Sequence, residues 1–113
     1  MRDLTNLKTF IIDSNDPKEV DDAFSYELIE GNIKKLWIHI SNPCKLFLTD
    51  SKIDIEARRK SSSLYLINQY IPMLPAEIIN KANLNQNKIS DTISASIIFN
   101  DNGSINKYEI VEA

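Results

Sequence analysis

The chain is 113 residues long, the size of one ordinary domain, and its 42% hydrophobic and 26% charged residues are close to the average of soluble globular proteins. That composition excludes a wholly disordered chain, and apolar runs as short as Phe10-Ile11-Ile12 exclude a membrane-spanning helix. The formal net charge of −3 argues against a simple basic nucleic-acid-binding module, but not against a nuclease whose acidic site engages phosphate through divalent cations. Met1-Arg2-Asp3-Leu4-Thr5-Asn6 lacks the apolar core of an export signal. Cys44 is the single cysteine, so an internal disulfide and a thiolate zinc cluster are both excluded, and a reducing cytoplasm is the expected compartment. With only two glycines there is no Gly-rich phosphate loop.

In chain order, Lys8 to Ile12 reads as a short strand ending in Asp13. Residues 13–22 are polar, contain Pro17 and read as an ordered loop. Phe24, Tyr26 and Leu28 alternate with Ser25 and Glu27, Glu30-Gly31-Asn32 marks a turn, and Leu36, Ile38 and Ile40 alternate with Trp37 and His39. This pattern predicts an antiparallel hairpin. Asn42-Pro43 breaks the strand, and Ser51 is a good N-cap for a helix to about Lys60, with Asp54 early and Arg58, Arg59 and Lys60 in the last turn. Leu64 to Ile67 predicts a short strand, and two prolines make Ile71 to Pro75 irregular. Pro75 suits the start of a short helix over Ala76 to Asn80. Ser90 to Phe99 alternates again, Asp101-Asn102-Gly103-Ser104 predicts a two-residue hairpin turn, and Ile105 to Val111 is the return strand. The expected class is α+β: antiparallel hairpins forming a sheet, with one or two short helices.

The most informative stretch is the loop, where Asp13, Asp16, Glu19, Asp21 and Asp22 place five carboxylates within ten residues. Crowded carboxylates repel unless a cation sits among them, and magnesium takes such hard oxygen ligands. A solvated acidic turn with a capping Asp is the blander alternative. A calcium EF-hand loop fails: with Asp13 first, Lys18 occupies the glycine position and Phe24 the bidentate Glu position.

Thr9-Phe10-Ile11-Ile12-Asp13, the loop, and Asp21-Asp22-Ala23 resemble the opening of the catalytic domain, called RNB, of the ribonuclease II and ribonuclease R family. Trp37-Ile38-His39-Ile40, Asp54-Ile55-Glu56-Ala57-Arg58-Arg59 and Ser63-Leu64-Tyr65-Leu66 with Ile71-Pro72-Met73-Leu74-Pro75 resemble further family segments in the same order. The resemblance implies a hydrolytic 3′→5′ exoribonuclease of single-stranded RNA that releases nucleoside monophosphates and depends on magnesium, with manganese as the possible substitute. It implies metal ligands at Asp13, Glu19 and Asp22, catalytic roles for Asp21 and Asp22, and RNA contacts at Tyr65, Arg58 and Arg59. Two positions depart from the family's pattern: Glu19 and Asn42 both stand where it has Asp. The family's catalytic domain is several times longer and includes later arginine and glutamate residues, so residues 1–113 are expected to form its N-terminal portion, without cold-shock or S1 domains. A non-catalytic RNA-binding or interaction remnant of the same fold is the alternative. His39 reads as a satisfied strand histidine, Cys44 as a bystander thiol and Trp37 as packing.

Overall fold

The computed structural model describes residues 1–113, with the side chain of Asn32 outside the described set. The elements are β1 (Thr9–Phe10), β2 (Asp22–Ile29), β3 (Ile33–Ser41), α1 (Lys52–Lys60), β4 (Leu64–Tyr65), β5 (Tyr70–Ile71), α2 (Ala76–Ala82), β6 (Thr92–Phe99) and β7 (Ile105–Glu112). Five strands form one antiparallel sheet in the order β1-β2-β3-β6-β7, while β4 and β5 pair as a separate ribbon. This is the α+β arrangement that the sequence predicts.

Local chemistry sets most boundaries. Strands β2 and β3 close over Gly31, whose φ of 75° is left-handed backbone that costs glycine nothing. The Ser51 hydroxyl caps α1 by accepting the Asp54 N–H at 3.4 Å. Ser61, with φ 62°, ends that helix by donating its N–H to the Ala57 carbonyl.

Four boundaries differ from expectation. Strand β1 covers only Thr9–Phe10, because as an edge strand it has one neighbour and the chain peels off into the acidic loop. Strand β4 stops at Tyr65 because Leu66 and Gln69 exchange backbone hydrogen bonds and turn the chain. Tyr70–Ile71 then pairs back as β5, where the following prolines predict irregular backbone. The β6–β7 connection is wider than a two-residue turn, since Phe99 pairs with Ile105 beside a bulge. Its polar side chains favour the wider loop: Asn102 Oδ1 accepts from the Ser104 N–H and hydroxyl, and Asn106 donates to Asn100.

The sheet is apolar on one face and polar on the other, and the polar face is the buried one. By register, Phe24, Tyr26, Leu36, Ile38, Ile40, Ile93, Ile97, Tyr108 and Ile110 share a face. That face is open to solvent, with Tyr108 68% and Ile110 65% exposed. The opposite face carries Ala23, Ser25, Trp37, His39, Ser94 and Ser96, all buried. The N-terminal segment crosses this second face. Thr9 lies in β1 at one edge, while at the other edge Arg2 bonds the Glu112 carbonyl and places its guanidinium on the Glu109 carboxylate at 2.7 and 3.0 Å.

Burying hydroxyls and an imidazole requires a partner for each. The structure supplies them as a row: Thr9 Oγ1 to Ser25 Oγ at 2.8 Å, Ser25 Oγ to His39 Nε2 at 2.7 Å, and His39 Nδ1 to Ser94 Oγ at 2.8 Å. It continues from Ser94 to Thr92 at 2.8 Å and ends at the Ala113 carbonyl. Burial pushes the imidazole below the ordinary histidine value. A group with a lowered native value binds fewer protons folded than unfolded. Its stabilising contribution is therefore full above about pH 6.5 and is lost as pH falls from there through the native value. Urea unfolding between neutral pH and about pH 5 should show that acid slope. His39→Ala should flatten it and, by leaving Ser25 and Ser94 unpaired, destabilise the chain at neutral pH by about 2–4 kcal/mol.

Candidate functional site

The ribbon and the acidic loop meet. The Leu66–Gln69 turn places Tyr65 directly opposite Tyr70, and the two rings stack with centroids 5.2 Å apart at 26°. Tyr65 is 61% exposed and forms the outer layer, while Tyr70 is half-buried beneath it. The Tyr70 hydroxyl donates to Glu19 Oε2 at 2.6 Å, tying the ribbon to the loop. Burial, then the Glu19 carboxylate, raises the Tyr70 phenol well above its ordinary value. Burial also raises Tyr65, as do the Glu19, Asp21 and Asp13 carboxylates that face it. Both phenols therefore stay protonated donors at neutral pH.

The two halves of the loop differ in how they are held. Asp13 and Asp16 are exposed, and Asp13 accepts the neighbouring Ser14 N–H. Val20 is buried with Ala23 and Leu84; its N–H donates to Asn83 Oδ1 at 3.0 Å and its carbonyl accepts from Leu84 at 2.9 Å. The Asp21 carbonyl accepts the Ser41 N–H. Asp22 opens β2 opposite Ile40, so its side chain belongs to the apolar face of the sheet.

These side chains suit a hard cation in donor type, since carboxylate oxygens are what magnesium and manganese take. They do not suit it in assembly. Among the described residues, no three His, Cys, Asp or Glu side chains stand close enough to share a metal ion. The Glu19, Asp21 and Asp13 carboxylates add to burial in raising the Tyr65 phenol, Glu19 is committed to Tyr70, and Asp22 lies on the apolar face of the sheet.

The remaining candidates are placed as follows. Arg58 lies between Asp50 at 2.6 Å and Asp54 at 3.3 Å, and Arg59 pairs with Glu56 at 3.0 Å, so each guanidinium already has carboxylate partners. His39 is buried in its hydrogen-bonded row and Trp37, 2% exposed, packs beside it in the same face. Cys44 is an exposed free thiol. Asn42 follows β3 and donates its N–H to the Asp91 carbonyl. Tyr70, whose hydroxyl ties the ribbon to Glu19, is not among the site residues that the sequence predicts. The available signal was two tyrosines flanking Leu66-Ile67-Asn68-Gln69, the spacing at which a tight hairpin sets them face to face.

The antiparallel sheet joined to an acidic loop and a tyrosine-bearing ribbon defines an α+β module whose family is shown by its likeness to known proteins. The model of the RNB domain matches residues 1–113, and the chain belongs to that family. It is 33% identical to the chloroplastic/mitochondrial ribonuclease II of Arabidopsis thaliana over 96% of this chain and 14% of that protein. It is 31% identical to the ribonuclease R of Thermotoga maritima over 96% of this chain and 16% of that protein. Among solved structures, the Mycoplasma genitalium ribonuclease R in complex with double-stranded RNA superposes with a TM-score of 0.90 at 30% identity, over 99% of this chain and 20% of that one. The chain thus spans between 14% and 20% of the length of these relatives. Among the described residues, no helix is long and apolar enough to cross a membrane.

Because no three carboxylates share one point among the described residues, magnesium is expected to stabilise this chain alone little. A preorganised site would add about 2.7 kcal/mol of stability at a metal concentration one hundred times the dissociation constant. Thermal unfolding with and without roughly millimolar magnesium or manganese is expected to give the same midpoint. A rise that Asp21→Asn together with Asp22→Asn removes would show a metal site already formed.

Proposed function

We propose that this chain is the part of a hydrolytic 3′→5′ exoribonuclease that receives the 3′ end of single-stranded RNA and contributes acidic residues to the hydrolytic site. The observation that carries the reading is the exposed Tyr65 ring, stacked on Tyr70 and faced by Asp13, Glu19 and Asp21, in a chain of the RNB family. A base stacks on an exposed aromatic ring with little regard for sequence, as degradation of RNA of varied sequence requires. The ribonuclease R of Mycoplasma genitalium is itself described in complex with RNA. Asp13, Glu19 and Asp22 are the oxygen donors this chain would offer to magnesium or manganese, and Asp21 and Asp22 are the residues assigned to hydrolysis. The product is nucleoside monophosphate, and the proposed compartment is a reducing cytoplasm.

The working unit in this reading is larger than 113 residues. An apolar sheet face left open to solvent is costly unless further polypeptide covers it, and the relatives are several times longer. Hydrolysis also needs fixed cations on the scissile phosphate, whereas Arg58 and Arg59 are paired with carboxylates. Further chain of the catalytic unit would supply both the cover and the cations.

A second reading is a non-catalytic RNA-binding or interaction piece of the same fold, favoured by the lack of convergent carboxylates among the described residues. One assay separates the two: release of labelled nucleoside monophosphate from a 3′-labelled single-stranded RNA with magnesium, beside an Asp21→Asn control. Alone, the chain should work at least about a hundredfold more slowly than a full-length ribonuclease R, because a missing cationic donor costs that much by itself. Transplanted in place of the matching segment of the Thermotoga maritima enzyme, it should support release that Asp21→Asn abolishes. A correctly folded chimera that binds RNA and releases nothing would establish the non-catalytic reading.

A further inference from the structure

The β6–β7 connection carries a directed chain of side-chain hydrogen bonds that all lead to one atom. Asn106 Nδ2 donates to Asn100 Oδ1 at 2.7 Å, Asn100 Nδ2 donates to Ser104 Oγ at 2.9 Å, and Ser104 Oγ donates to Asn102 Oδ1 at 2.6 Å. An amide NH2 only donates, so the Ser104 hydroxyl, having accepted from Asn100, turns its own proton to Asn102. The Ser104 backbone N–H reaches the same oxygen at 3.0 Å. Closing the loop does not require this: the Asn100 N–H already bonds the Ser104 carbonyl at 2.8 Å, and the Gly103 N–H bonds the Asn100 carbonyl at 2.9 Å.

The residue after Asn102 is Gly103, with φ 87° and no atom within 4 Å of where a Cβ would stand. Both residues are exposed to water. A side-chain amide and the next backbone nitrogen are the two groups that close into a succinimide, and glycine obstructs that closure least. As the ring closes, negative charge develops on Asn102 Oδ1. Two donors already aimed at that oxygen stabilise the charge without reorganising, and the row behind Ser104 polarises its hydroxyl further.

We propose that Asn102 is a self-modifying site, at which the folded loop converts its own side-chain amide to aspartate and isoaspartate, with Ser104 as the assisting donor. Hydroxide removes the Gly103 amide proton, releasing its bond to Asn100, and the nitrogen bonds to Asn102 Cγ. The Cγ–Nδ2 bond breaks, and Nδ2 leaves as ammonia with a proton from water. Water then opens the succinimide at either carbonyl. Opening at the side-chain carbonyl gives aspartate, which adds one negative charge and keeps an oxygen for Ser104. Opening at the main-chain carbonyl gives isoaspartate, which lengthens the chain by one methylene in the turn that sets the β6–β7 register.

The test incubates the full 113-residue chain in mildly alkaline buffer enriched in heavy-oxygen water, then maps its peptides by mass spectrometry. Asn102 should lose its amide and gain one heavy oxygen, while Asn100 and Asn106 in the same peptide keep theirs. Ser104→Ala should slow the conversion about fivefold, the scale of one neutral hydrogen bond. Asn100→Asp should slow it to a similar extent, because a carboxylate there accepts the Ser104 proton and reverses the row. Ser104→Thr keeps the hydroxyl and should keep the rate, which general damage to the loop would not allow. In urea, where the row is gone, all four chains should convert alike. A folded chain that keeps the Asn102 amide while the urea-unfolded chain loses it overturns the proposal. So do equal rates in the folded chain and its Ser104→Ala and Asn100→Asp variants.

Discussion

A buried row of hydroxyls around His39 is the constraint on which the sheet, and through it the site, depends. Thr9, Ser25, His39, Ser94 and Thr92 come from four strands, and each must find a partner away from water. A one-residue slip in any pairing would turn its member of the row onto the apolar face and leave the others orphaned, so the row enforces register where apolar packing on this side is thin. The row is self-consistent for a neutral ring: hydrogen bonds running one way along it end on the Ala113 carbonyl, and running the other way on the Leu7 carbonyl, which Thr9 reaches at 3.4 Å. Desolvation, rather than any missing acceptor, is therefore what disfavours the charged imidazole.

The same row governs the acidic loop. Its two ends belong to β1 and β2, which are joined by the Thr9–Ser25 hydrogen bond and by Phe10 stacked on Phe24 at 5.6 Å. Between these fixed ends the loop has little to hold it except Val20, anchored on Asn83 and Leu84, and Glu19, anchored on Tyr70. Among the described residues, no three of the carboxylates stand close enough to share a metal ion. Of these anchors, Glu19 is the one that joins the acidic loop to the aromatic ribbon.

Much of this was legible from sequence, for reasons that are local. The β2–β3 hairpin followed from alternation around Gly31, and α1 from the Ser51 cap and the basic last turn. The boundaries that differ at β4, β5 and the β6–β7 connection share a cause. At Tyr65–Tyr70 and at residues 100–104 the turn depends on hydrogen bonds between particular backbone and side-chain groups, which composition only partly reveals. Tyr70, whose hydroxyl holds Glu19, lies between the strand predicted over Leu64 to Ile67 and the irregular backbone predicted from Ile71, and no local pattern marks that contact.

By itself the sequence determined the α+β class, the hairpins, the helix caps and the acidic loop, since each rests on contacts within a few residues or on a period of two. Tertiary structure alone decided which face of the sheet is buried. Alternation shows that a strand has two faces, and apolar residues on one of them suggest the core; here the core is the Ser25–His39–Ser94 face, because hydroxyls and an imidazole from distant strands satisfy one another there. Tertiary structure likewise decided that Glu19 meets Tyr70 rather than its fellow carboxylates. That pairing spans 51 positions, and no local pattern encodes it.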